Sequence, residues 1–188
     1  MSSSPDPFAM VANLKHRGPA PVHLWDPPFC GDIDLIIKRD GTWVHEGRPI
    51  RRMAMVQLFA SVLKIEKGDY FLVTPAEKIG IRVEDCPFIV TEMECENDGG
   101  LEVLRFTTNL GESVVANNQH PIEVTEDSEN GEPHPTLHIR SGLNGLISRA
   151  IFYRLVELAE PVESATGTGG QSIGVNSCGT FFPLGKID

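Results

Sequence analysis

The chain has 188 residues and a mass of 20.6 kDa, enough to bury roughly 70% of its unfolded surface without metal or disulfide staples. Sixteen Lys plus Arg against 26 Asp plus Glu give a formal charge of −10 and a pI near 5.0. That balance excludes a general binder of nucleic acid or anionic membrane, and a 40% hydrophobic content excludes wholesale disorder. No apolar run reaches the ~18–20 residues of a membrane span. The segment from Met1 to Ala12 lacks the basic and apolar regions of a signal peptide. Cys30, Cys86, Cys95 and Cys178 are scattered, which predicts reduced thiols and a cytoplasmic protein.

Residues 1–28, rich in Ser, Pro and Gly, read as an irregular arm draped over the fold through Leu24, Trp25 and Phe29. From residue 29 to 86 the pattern predicts an α+β unit. Ile33 to Lys38 and Thr42 to His45 form strands around the Asp40-Gly41 hairpin signal. Met55, Leu58, Phe59, Val62 and Leu63 then follow the spacing of one helix face. After Gly68-Asp69, Tyr70 to Thr74 reads as another strand.

A second α+β unit is expected over residues 87–160. Phe88 to Cys95 and Leu101 to Thr108 flank Asn97-Asp98-Gly99-Gly100, a strong hairpin signal. Pro121 to Thr125 and Thr136 to Arg140 flank an acidic loop containing Asn130-Gly131. Leu143, Leu146, Ile147, Ala150, Ile151, Leu155 and Leu158 predict a second amphipathic helix. An offset of 93 residues superposes Val44-His45 on Leu137-His138 and Leu58-Phe59 on Ile151-Phe152. The two units thus read as related sets of antiparallel hairpin strands, each with one amphipathic helix. Residues 161–188 begin with a flexible linker, and the apolar Ile173, Val175, Phe181 and Phe182 predict a final segment that docks back.

Chemistry-bearing motifs are few. No Gly-x-Ser-x-Gly occurs, and Cys30 has no evident base. His134 and His138 could share a strand face but lack an obvious third metal ligand. Asp32-x-Asp34 could hold a hard cation, but a turn leading a strand explains it more cheaply. Gly167-x-Gly169-Gly170 has no strand before it or helix after it, so it is not a phosphate loop. No catalytic group, metal or cofactor is assigned.

The candidate ligand-binding residues are cationic or polar. Lys38, Arg39, Arg48, Arg51 and Arg52 make a basic island, with Arg51 and Arg52 at the expected start of the first helix. That end carries partial positive charge, so two cations there are either solvated and paired or ready for an anion. Arg140, Asn144 and Arg149 mark the expected start of the second helix, where ordinary capping competes with anion binding. Thr74, Glu77, Lys78 and Arg82 form a polar junction between apolar strands, readable as a ligand site or as an internal ion-pair network.

Ordered blocks along the chain add a resemblance. Cys30-Gly31-Asp32-Ile33-Asp34, Asp40-Gly41-Thr42-Trp43, Gly47-x-Pro49-Ile50, Leu58-Phe59-x-Ser61-Val62-Leu63 and Tyr70-Phe71-Leu72-Val73-Thr74-Pro75-x-Glu77-Lys78 stand in this order in the first half. Val83-Glu84-Asp85-x-Pro87-Phe88, Phe106-Thr107-Thr108-Asn109-x-Gly111, Ile147-Ser148-Arg149 and Phe181-Phe182-Pro183-Leu184-Gly185 continue the series. From about Trp25 to Gly185 the chain resembles a bacterial family of domains of unknown function, number 1285. The resemblance implies two related α+β subdomains, the second like a pleckstrin-homology barrel capped by a helix. It also implies a nucleotide-like ligand at the subdomain interface, in signal transduction. The family pattern often carries Trp before Ser near the C-terminus, where this chain has Asn176-Ser177.

Three functions compete on these grounds. The leading expectation is a cytosolic binding module for a nucleotide-like or phosphorylated small ligand. A protein-interaction module using the acidic stretch Glu123 to Glu132 is the second. An enzyme using Glu77, Lys78 and Asp85 is the third, without a spacing that assigns roles.

Overall fold

The computed structural model describes residues 6–12, 18–127, 131–163 and 171–187. The expected linker over residues 164–170, with its Gly167-x-Gly169-Gly170, and Asn130 of the acidic loop lie outside the described residues. The chain divides into two compact units, Met1–Cys86 and Pro87–Asp188. It is α+β in class, with strands far outweighing helices.

The N-terminal unit opens with a short helix α1 (Pro7–Val11) and a single 3₁₀ turn at Val22–Leu24. The strands are β1 (Phe29–Ile37), β2 (Trp43–His45), β3 (Arg48–Pro49), β4 (Leu63–Glu66), β5 (Asp69–Val73) and β6 (Lys78–Val83), with helix α2 (Met53–Ser61) between β3 and β4. They form one sheet in the order β3-β2-β1-β6-β5-β4. Only the β1–β6 pair is parallel; the other neighbours are antiparallel. Asp40-Gly41 turns the chain as expected, with Thr42 N–H donating to Asp40 Oδ1 at 2.9 Å. Lys67-Gly68, both at positive φ, supply the backbone twist that a two-residue hairpin needs between β4 and β5.

Alternation along each strand sends one side chain set inward. Ile33, Leu35 and Ile37 of β1, Leu72 of β5 and Ile79 of β6 are buried, as are Val56, Phe59 and Ala60 of α2. Trp43 stacks on Phe59 with centroids 6.1 Å apart. The buried Trp43 Nε1–H has no acceptor among the described residues, a penalty of about 1–3 kcal/mol set against burial of the largest side chain. The helix is shorter than its apolar spacing predicts. Val62 ends it and Leu63 begins β4, so the buried face is Val56, Phe59 and Ala60, with Met55 and Leu58 half-buried. The N-terminal arm is anchored differently from the expectation. Leu24 is 72% exposed, whereas Val11, Ala20 and Val22 are buried and Ala20 N–H donates to Ser61 O at 2.8 Å.

The C-terminal unit contains β7 (Phe88–Asp98), β8 (Leu101–Thr108), β9 (Ser113–Val115), β10 (Ile122–Glu126), β11 (Pro133–Arg140) and β12 (Leu143–Ile147). Its sheet order is β10-β11-β12-β7-β8-β9, again with its first and last strands, β7 and β12, in parallel. Helix α3 (Arg149–Leu158) follows, then a three-stranded antiparallel sheet of β13 (Glu160–Glu163), β14 (Gln171–Ser177) and β15 (Thr180–Ile187).

Read in chain order, the two six-stranded sheets share one arrangement. Equivalent strand starts lie 58 to 65 residues apart, so the 93-residue offset superposes elements that are not equivalent. It was driven by the two helices, which occupy different places: α2 lies between the third and fourth strands, whereas α3 follows the sixth. The second helix also starts later than its apolar spacing predicts. Leu143, Gly145 and Ile147 alternate inward as β12, and Ser141-Gly142, both at positive φ, make the β11–β12 hairpin turn. Leu143, Leu146 and Ile147 fit either period over so short a run. Arg140 and Asn144 therefore lie on strands, and Arg149 alone of the expected trio opens the helix.

The C-terminal segment docks within its unit. β14 packs on α3 and β8, Val175, Phe182 and Leu184 are buried, and Cys178 N–H donates to Glu102 O. Ser177, fully buried, accepts from Leu104 N–H at 2.9 Å and donates to Ala116 O at 2.7 Å. Ser177→Ala leaves both backbone groups unpaired and should lower unfolding stability by about 1–3 kcal/mol. Urea denaturation followed by circular dichroism checks this; an unchanged midpoint would show that Ser177 does not tie the segment down.

Candidate functional site

The solvent-side face of the N-terminal sheet carries its polar and aromatic residues. Backbone pairing sets Lys64 opposite Phe71, Phe71 opposite Gly80, and Gly80 opposite Asp32. These four residues form one row across β4, β5, β6 and β1, with roughly 4.8 Å between strands. Over this row lies a cleft of about 410 Å³ lined by Phe29, Asp32, Asp69, Tyr70, Phe71, Lys78, Gly80 and Ile81.

Gly80 makes the floor. A Cβ there would overlap the Asp32 carboxylate, which lies across the bare backbone, and would stand 3.6 Å from the Phe29 ring. The Phe29 and Phe71 rings meet edge to face with centroids 6.1 Å apart, and Phe29 remains 56% exposed. Lys78 Nζ sits 4.4 Å from the Phe71 centroid and is ion-paired to Glu66. Glu66 also receives Lys64 Nζ at 2.8 Å. Hydrogen bonds from Lys64 and then Lys78 hold the Glu66 carboxyl below its usual range, so it is ionised at neutral pH. Two cations share the Glu66 carboxylate, and Asp69, directly opposite Glu66 in the β4–β5 pair, adds a second carboxylate to that flank. The Asp32 carboxylate, on the opposite flank, has no hydrogen-bond or ion-pair partner among the described residues, and neither has the Asp69 carboxylate.

Of the sequence-predicted site residues, Lys78 lines this cleft. Thr74 is buried, and its Oγ1 accepts from Ala76 and Glu77 N–H at 3.3 and 3.2 Å, fixing the β5–β6 turn. Glu77 returns its carbonyl to Thr74 N–H. Arg82 shares the outer face of β6 with Lys78 and pairs with Asp34 at 3.0 Å. Arg51 and Arg52 are exposed at the start of α2 with no partner among the described residues. In the C-terminal unit Arg140 makes a two-pronged pair with Glu112 and lies 5.4 Å from the Phe88 ring centroid. Arg149 pairs with Glu132 at 2.8 Å, and Asn144 stands opposite His138 in the β11–β12 pair. The basic island is partly balanced by residues distant in sequence: Lys38 by Glu84 at 2.7 Å and Arg39 by Asp85 at 3.1 Å.

Phe29, Asp69, Phe71 and Gly80 were absent from the sequence-predicted set. The available signal was Gly80 itself, an isolated glycine inside the strand pattern Lys78 to Val83 that marks a close approach. Elsewhere, His138 uses both ring nitrogens, Nδ1 toward Gln119 O at 2.8 Å and Nε2 accepting from Gly142 N–H at 3.1 Å.

Family models match residues 20–86 as the N-terminal domain of a "domain of unknown function (DUF1285)" and residues 87–184 as the C-terminal domain of a "protein of unknown function (DUF1285)". The chain belongs to the DUF1285 family. The crystal structure of a DUF1285 family protein from Silicibacter pomeroyi DSS-3 is 49% identical, with 98% of this chain and 97% of that chain covered and a TM-score of 0.89. A DUF1285 family protein from Shewanella baltica OS155 is 26% identical over 65% of this chain and 90% of its own, with a TM-score of 0.51. No curated protein matches the chain. No helix among the described residues is long and apolar enough to cross a membrane.

The thiols of this DUF1285 protein differ sharply in environment. None of the four cysteines is in a disulfide; Cys30, Cys95 and Cys178 are exposed and Cys86 is buried. Burial first, then the Asp85 carboxylate, pushes the Cys86 thiol up to about 12, so it stays protonated and non-nucleophilic at neutral pH. Ellman's reagent at pH 8 should therefore titrate three thiols in the folded protein and a fourth only in denaturant. Rapid modification of Cys86 in the native state would contradict its burial.

Proposed function

We propose that this DUF1285 protein is a binding module for a nucleotide-like small ligand, received by the cleft on its N-terminal sheet. The observation that carries this reading is the polarised composition of the cleft. A half-exposed aromatic ring, Phe29, offers a stacking surface, Lys78, which shares the Glu66 carboxylate with Lys64, offers a cation, and Asp32 offers an acceptor. A volume of about 410 Å³ falls within the range of small-molecule sites. An anionic group would take Lys78 in competition with Glu66, and a ring would lie on Phe29. The overall charge of −10 repels long polyanions, whereas a small anion meets only the local field.

Cytoplasmic residence and a role in signal transduction belong to the same proposal. Four unpaired cysteines support the first, and a ligand cleft without an assembled nucleophile and base supports a receptor role for the second. The pleckstrin-homology-like reading of the C-terminal unit is supported by its six-stranded sheet followed by α3.

A second reading, a protein-interaction module, is favoured by α3, which leaves Tyr153, Val156 and Leu158 exposed. Glu132 of the acidic stretch is paired with Arg149, and on this reading neutralising the exposed Glu126 should lose the partner in a pull-down.

Thermal-shift titration with nucleoside monophosphates tests the leading reading. A ligand at 100 times its dissociation constant stabilises by about 2.7 kcal/mol. Lys78→Ala and Phe29→Ala should each weaken binding roughly tenfold or more, whereas Glu66→Gln, which frees Lys78, should strengthen it. Arg51→Ala, outside the cleft lining, should leave it unchanged. No saturable shift with any nucleotide, or a shift insensitive to both cleft substitutions, would overturn the proposal.

A further inference from the structure

Asp32 is an acceptor of the cleft whose complement the binding reading leaves undetermined. Its carboxylate is held over Gly80 because that residue has no side chain to displace it, and the Phe29 ring stands beside the same floor. The Phe71 ring follows in the same row of the sheet. No donor among the described residues uses the Asp32 oxygens. An ionised carboxylate is acceptor-only, with two oxygens side by side, and its natural complement is a pair of adjacent N–H donors on one planar edge.

Among nucleobases only guanine presents such an edge, N1–H beside the exocyclic N2 amine. Adenine offers one donor next to the N1 lone pair, cytosine one donor next to N3, and uracil one N–H between two carbonyls. Each of those places an acceptor against the carboxylate, which is repulsive. Resting on the nucleotide-like reading above, we infer that Asp32 is the specificity-determining residue of the cleft and selects a guanine-type ring. The base lies along Phe29 with its N1–H and N2 amine donating to the two Asp32 oxygens, and its anionic group extends toward Lys78 on the β4 flank. Asp69, the second unpartnered carboxylate of the lining, remains available to ribose hydroxyls.

The experiment is isothermal titration of the full chain with GMP, IMP, AMP and UMP. The expected order places GMP roughly tenfold tighter than AMP, from the discrimination of about 1–3 kcal/mol that a two-pronged base contact gives. IMP, which keeps N1–H but lacks the amine, falls between them. Asp32→Asn replaces two acceptors with one acceptor and one donor, and an amide pairs with adenine. That variant should lose the GMP preference and move it toward AMP, while its unliganded melting temperature stays at the wild-type value. A structural role for Asp32 would lower all affinities together and leave their ratios intact, which would overturn the inference. Equal binding of GMP and AMP by the wild-type chain would overturn it too, while leaving the binding reading in place. Absence of binding by all four nucleotides would overturn that reading and this one together.

Discussion

Each six-stranded sheet depends on the parallel pairing of its first strand with its last. β1 and β6 are brought side by side although Asp32 and Gly80 are 48 residues apart, and every other pairing in the N-terminal sheet is between strands adjacent in the chain. Parallel neighbours need a long connection, here filled by β2, β3, α2, β4 and β5. The long connection is also what places the two outer hairpins on opposite flanks of the central pair. The cleft is a direct consequence. Asp32 comes from one hairpin arm, the Lys64–Glu66 end from the other, and β6 supplies the gap between them in the form of Gly80.

The same constraint explains why this face is chemically mixed while the other is uniform. Period-two alternation forces Ile79 and Ile81 inward and therefore Lys78, Gly80 and Arg82 outward. On a central strand such outward residues have neighbours on both sides, so their charges meet others across the ladder rather than solvent alone. Arg82 finds Asp34 on β1, and Lys78 reaches Glu66 across β5. These surface pairs contribute little to stability individually. Their effect is on the field over the row: the two lysines end on one flank and the Asp32 carboxylate on the other, with an aromatic pair between them.

How much of this was legible follows from the range of the interactions. Hairpins set by a local turn were readable: Asp40-Gly41 and Asn97 to Gly100 carry their geometry in four residues. The β11–β12 turn at Ser141-Gly142 was overruled by an apolar run that fits a helix as well as a strand, and Arg140 and Asn144 were misplaced with it. The repeat was legible as an idea but not in register. Helix faces dominate hydrophobic matching, and the two helices are inserted at different points of the shared strand order. Site residues fared by the same rule. Lys78, which lines the cleft, was singled out because its polarity interrupts apolar strands locally. Phe29, Phe71 and Asp32 come together only through β1–β6 and β5–β6 pairing, which leaves no local mark except a glycine where a strand should have a side chain.

Charge distribution makes the same point about scale. The basic run from Lys38 to Arg52 looks like an anion site when read along the chain, but Glu84 and Asp85 fold back onto Lys38 and Arg39. The remaining cations of the run, Arg48, Arg51 and Arg52, are exposed and have no side-chain partner among the described residues, so water is the competing partner for any anion. A lysine of ordinary appearance becomes the stronger candidate because its surroundings differ. Lys78 is half-buried, lies over an aromatic face and shares its counter-ion with Lys64, so part of its charge is uncompensated where solvent screening is reduced. On the proposed reading, selectivity for a small anion over a polyanion needs no special device. The cleft lining holds one cation, Lys78, shared with Glu66, while the acidic remainder of the surface would oppose any chain of phosphates long enough to extend beyond it.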